Sequence, residues 1–107
     1  MRDYGWRVER KGDLVTGYIC DPRGGELKCA QLTEGHGMKP GAAYAFVEKN
    51  RPYYEAEIEI YERGEPSWFT CKTRDEHIAL TEARMIGGVS REQFMREHDA
   101  WAKEWAL

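Results

Sequence analysis

Polar and apolar residues alternate from the start of the chain. Trp6, Val8 and Arg10 fall on one side, Arg7, Glu9 and Lys11 on the other, and Gly12-Asp13 is a turn signal. Val15, Gly17 and Ile19 continue on one face of a second strand. Asp21-Pro22-Arg23-Gly24-Gly25 makes a stronger turn into a short third strand around Leu27 to Gln31. Residues 33–41 hold three glycines and a proline, which predicts a loop. Tyr44, Phe46 and their neighbours read as a fourth strand, closed by Lys49-Asn50-Arg51-Pro52.

The strictest alternation follows. Tyr54, Ala56, Ile58 and Ile60 alternate with Tyr53, Glu55, Glu57, Glu59 and Tyr61, a period of two. Arg63-Gly64 then predicts a hairpin turn into Ser67-Trp68-Phe69-Thr70-Cys71-Lys72. In that register Ile58 faces Phe69 and Ala56 faces Cys71, while Glu59 meets Trp68 and Glu55 meets Lys72. Two helices close the chain. Thr73-Arg74-Asp75-Glu76 is a capping signature for a helix over about 75–86, ended by Gly87-Gly88. Ser90-Arg91-Glu92-Gln93 starts another over about 91–106, with Phe94, His98, Trp101 and Trp105 along one face. The pattern predicts one α+β domain over 1–107. It consists of an antiparallel sheet of about five to six strands, over about 5–73, with the two C-terminal helices on one face.

Composition qualifies this picture. Leu, Ile, Val and Phe supply 17 of 107 residues, few enough to suggest disorder. A net charge of only −3, with four Trp and six Tyr, points instead to a folded domain with an aromatic-rich core. Mean hydropathy is −0.77, and the longest apolar run covers residues 42–47, far below the ~20 residues needed to cross a bilayer. The first residues carry no apolar stretch that would serve as a signal peptide, so the expected location is cytosolic. Residues 1–50 hold 8 basic and 7 acidic groups and residues 51–107 hold 8 and 12. That balance disfavours nucleic acid and anionic membranes as partners and favours a basic one.

Candidate chemistry is sparse. Cys20, Cys29, His36, Cys71 and His77 have no paired C-x2-C or H-x3-H spacing, so neither a zinc site nor any other cofactor is expected, and the thiols read as reduced. Residues 35–41 match neither G-x-G-x-x-G nor a P-loop, and three aligned glutamates would all stay ionised in water rather than act as an acid/base pair. No enzyme is predicted. The sharper expectation is an interface. Glu55, Glu57 and Glu59 cannot be buried together, so their face sees solvent, and it carries Trp68 flanked by Tyr53 and Tyr61. Exposed Trp and Tyr within an acidic rim suit docking on a larger basic protein. The expected function is therefore a small cytosolic adaptor or inhibitor. Small accessory proteins of phages and mobile elements, including inhibitors of nucleic-acid-handling defence complexes, share this size and lack of catalytic motifs. Two other classes compete: a small-ligand or metal-binding domain using Cys and His, and a nucleic-acid-binding module using Arg7, Lys11 and exposed aromatics. Trp101 and Trp105 also leave a homodimer open.

Overall fold

In a computed structural model, which describes residues 2–83 and 91–107, the alternating N-terminal third folds as read. Strands β1 (Arg7–Lys11), β2 (Leu14–Cys20) and β3 (Glu26–Thr33) form an antiparallel sheet in the order β1-β2-β3. Gly12 takes a φ of 59° in the first turn, a conformation few other residues adopt without strain. Val15 and Ile19 of β2 are fully buried, as alternation requires.

The remainder departs from the expected sheet. There are three strands among the described residues, not five or six. Residues read as a fourth strand and as the first arm of the hairpin belong to one helix, α1 (Ala42–Glu62), and 67–70 is a turn. The reason lies in a second period hidden in the same residues. Ala43, Val47, Asn50, Tyr54, Ile58 and Tyr61 recur every three or four positions, which is one helical stripe. Glutamate and alanine between them are strong helix formers. Pro52 lies inside α1, where it can donate no backbone hydrogen bond, and the packed stripe overrides that local cost.

Helix α1 lies across the sheet on two small clusters. Val15, Ala30, Ala43 and Val47 form one, and Ile19, Ile58 and Tyr61 the other. Few aliphatics are available, so half-buried Trp6, Tyr54 and Phe69 complete these clusters from the sides. Helix and sheet approach closely at Gly17. A Cβ there would come within 2.7 Å of Trp6 Cη2 and 2.9 Å of Val47 Cγ1. Trp6 is held over it by an indole N–H donated to Glu48 Oε1 at 2.9 Å. Trp6 thereby packs against both clusters.

The start of α1 is set by Gly41, which takes a φ of 89° and, being glycine, has no side chain with which to cap the helix. Glu34 supplies the missing acceptor: Oε1 accepts the Ala43 N–H at 3.3 Å, and Oε2 accepts from Arg10 at 2.9 Å. The bond from Arg10, with the Ala43 N–H second, holds the Glu34 carboxyl below the usual carboxylate range.

Helix α2 (Arg74–Ala83) begins at the predicted cap, where Thr73 Oγ1 accepts the Glu76 N–H at 3.1 Å. Its predicted end near residue 86, with Gly87-Gly88 and the second cap at Ser90, lies outside the described residues. Helix α3 (Arg91–Trp105) presents the predicted aromatic face, but to α1 and not to the sheet. Phe46 meets His98 and Trp101 edge-on, at ring separations of 6.0 and 5.2 Å, and Tyr53 meets Phe94 at 5.2 Å. These pairings run in opposite directions, so the two helices are antiparallel. The end of α3 is tied to the 37–39 loop by Lys39 N–H to Trp105 O and Leu107 N–H to Gly37 O, both 2.9 Å.

Gly17→Ala is expected to cost about 1–3 kcal/mol, because both the indole and the Val47 methyl must move, and urea unfolding measures it. Glu34 contributes stability above the ordinary carboxylate pKa that is lost as pH falls through its lowered folded value. In urea melts from about pH 6 to about pH 3, Glu34→Gln should therefore show a shallower loss of stability on acidification than the wild-type protein.

Candidate functional site: an aromatic cleft beside the edge strand

The six residues expected to form an acidic-aromatic sheet face do not share one. Tyr53, Glu57 and Tyr61 are buried in α1, at 5%, 0% and 8% exposure. Tyr53 packs on Phe94, and Tyr61 packs on Ile19 and accepts a hydrogen bond from Arg23 at 3.1 Å. Glu55 is half-buried and paired with Arg51 at 3.2 Å; Glu59, exposed, accepts from the Tyr4 hydroxyl at 2.5 Å. Nearby, Glu62 pairs with Arg2 and Glu65 with Arg63. The acidic row that was to steer a basic partner is split between the interior and contacts within the chain.

Glu57 has a structural task. Its Oε1 accepts the Trp68 backbone N–H at 2.8 Å. The 67–70 turn that presents Trp68 is closed by Thr70, whose hydroxyl accepts the Ser67 N–H and whose own N–H reaches Ser67 O. A buried carboxylate in α1 thereby fixes an aromatic side chain over the flank of the same helix.

That side chain walls a cleft of about 270 Å³. Phe46 and Tyr54 line it from α1, Phe94 from α3, His77 from α2, and Cys29, Ala30 and Gln31 from β3. Trp68 stands 5.2 Å from the Tyr54 ring and stacks on His77 at 5.3 Å, with 18° between the planes. The β3 wall depends on a bulge. Tyr18 pairs with Lys28 and Thr16 with Gln31, so Cys29 and Ala30 together oppose Gly17. The extra residue places two consecutive side chains on the α1 side of the sheet.

Besides Gln31 and His77, polar groups in this wall include Asn50, the Tyr54 hydroxyl and the Cys29 thiol. Asn50 is 4% exposed, and its Nδ2 donates to Phe46 O at 2.8 Å. The Tyr54 hydroxyl is pushed up in pKa, first by burial and then by the nearby Cys29 and Glu57, so it stays protonated. Burial pushes the Cys29 thiol up to about 12, and its Sγ lies 3.6 Å from Leu27 O. Such a thiol is not a nucleophile at neutral pH. Behind the cleft, the Lys49 ammonium is buried 5.4 Å from the Phe46 ring centre and 5.3 Å from that of Phe94; desolvation lowers its pKa, against the pull of Glu97.

Among the described residues no group of three or more His, Cys, Asp or Glu is placed to hold a metal ion, and no helix is long and apolar enough to cross a membrane. The outer sheet face is polar and self-paired: Arg7 lies over the Tyr18 ring at 4.4 Å and makes two bonds to Glu26.

The chain matches no family model, no curated protein and no solved structure.

Of the predicted site residues, only Trp68 reaches the cleft. His77 and Cys29 were visible in the sequence as possible metal or thiol chemistry, and Phe94 as part of a helix face. Asn50 read as a turn residue, and no local signal marked it. Glu57→Ala should lower stability by about 1–3 kcal/mol, the cost of removing the acceptor of a buried backbone N–H, with Glu57→Gln intermediate because it keeps an acceptor oxygen. Urea unfolding gives the order, and Trp68 fluorescence should shift red in the alanine variant as its turn loosens.

Proposed function

We propose that this chain acts by binding and not by catalysis, as a small protein-binding module whose site is the aromatic cleft. The observation that carries this reading is a space ringed by aromatic side chains from α1, α2, α3 and the 67–70 turn. Small-molecule sites usually occupy about 300–1,000 Å³. At about 270 Å³ the cleft suits one ring, the size of a single anchoring side chain. Interfaces concentrate their binding energy in such buried aromatic anchors. The mouth also lies beside β3, an edge strand of the sheet, where a partner's main chain can run alongside.

The adaptor or inhibitor role expected from the sequence keeps its place in this proposal, with its site moved from the 53–61 face to the cleft. A strongly basic partner loses its support, because Glu55, Glu59, Glu62 and Glu65 are engaged within the chain. The elevated Cys29 thiol gives no support to nucleophilic thiol chemistry in the cleft. A second reading is a free single-ring ligand, which the same volume accommodates.

Titration of isotope-labelled protein with the capped amino acids N-acetyl-tryptophanamide, N-acetyl-tyrosinamide and N-acetyl-leucinamide tests this. The aromatic probes should shift resonances of Phe46, Asn50, Tyr54 and Phe94, the aliphatic one should not, and a folded Trp68→Ala variant should bind them about tenfold less. Glu59→Lys should bind as wild type. Shifts confined to the outer sheet face, or none, would overturn the cleft as the site.

A further inference from the structure

Resting on the cleft as the binding site, we propose that the ring it takes is neutral and carries an N–H donor, an indole-type ring whose N–H meets Asn50 Oδ1. Asn50 is almost wholly buried, yet it lines the cleft. Its amide orientation is settled by its neighbour: the atom facing Phe46 O at 2.8 Å must be the donor nitrogen. The carbonyl oxygen is therefore the other atom, and none of the described residues donates a hydrogen bond to it. A ring without a donor would fill the space and strip that oxygen of water with nothing in return, whereas an N–H replaces what is lost.

Charge narrows the class further. Among the described residues no Asp, Glu, Lys or Arg lines the cleft, so a cationic guest finds no carboxylate counter-ion among them. A cation is also opposed from behind. The rings of Phe46 and Phe94, which would attract it, already face the Lys49 ammonium at 5.4 and 5.3 Å. An aromatic cage for ammonium groups is therefore not what this site builds. The Tyr54 hydroxyl rotates to give or accept a hydrogen bond and discriminates little; the Asn50 oxygen is fixed and does. The volume of about 270 Å³ admits one bicyclic ring.

The probes are indole, 1-methylindole and tetramethylammonium, followed by chemical shifts on wild type and Asn50→Leu. Indole should bind wild type at least about fivefold tighter than 1-methylindole, the two should become equal in Asn50→Leu, and tetramethylammonium should leave the cleft resonances in place. The wild-type comparison stands by itself if Asn50→Leu does not fold. Equal binding of the two indoles with cleft shifts overturns the donor requirement while leaving the cleft as the site. Cleft shifts from tetramethylammonium overturn the neutral class. Failure of every aromatic probe removes the cleft reading and this inference together. A further arm separates the sources of the ring: capped tryptophan binding like indole identifies a partner's side chain, and indole binding alone identifies a free small molecule, the N–H chemistry standing in both cases.

Discussion

The close approach of α1 to β2 at Gly17 governs the rest of the molecule. No side chain stands there, so Val47 and the Trp6 indole descend onto the strand. On the neighbouring strand the bulge sets two residues, Cys29 and Ala30, against that same glycine. One strand gives up a side chain where the other contributes an extra one, and the helix settles into the resulting surface. Every wall of the cleft is referenced to that helix: Phe46 and Tyr54 project from it, Phe94 is carried by α3 packed along it, and Trp68 is tethered to it through Glu57.

This arrangement explains how a chain with so few aliphatic residues folds at all. Among the described residues the fully buried hydrophobic side chains are small or medium, with Ile19, Ile58, Val15 and Val47 the largest. Most of its aromatic surface is only half-buried and is shared between elements as ring-to-ring contacts. Such rings stabilise while partly open to solvent, because each buries large area with few torsions to restrain. A core made this way leaves ring faces on its boundary, and the cleft is where several of those faces converge.

The two kinds of element differed in how far they could be read from sequence. In β1 to β3 the alternation and the turn glycines are enough for three strands to follow from pattern, while the bulge at Cys29 and Ala30 carries no such signal. In 53–61 two periods coexist. Glutamates at 55, 57 and 59 satisfy a strand with one charged face, and they equally occupy a helix in which 55 and 59 lie outside while 57 turns inward. Asn50 and Pro52 tipped the local balance toward a break, and only the stripe from Ala43 to Tyr61, meaningful once a sheet is present to receive it, decides for the helix. For the site, Trp68 was legible as an exposed aromatic anchor, but on a hairpin face that residues 53–61 do not form. Its neighbours in space come from four separate stretches of chain, which no local spacing reveals.

The pairing of charges within the chain also shapes how the molecule meets others. Arg2, Arg7, Arg10, Arg51 and Arg63 each lie against a glutamate, so much of the surface charge is arranged as short dipoles instead of a pole. Fields of that kind fade within a few ångströms in salt water and do little to orient an approaching molecule. A partner of the proposed cleft would then meet it at the unassisted rates of about 10⁵–10⁶ M⁻¹s⁻¹, with selectivity exercised after contact, in how long the bound group stays.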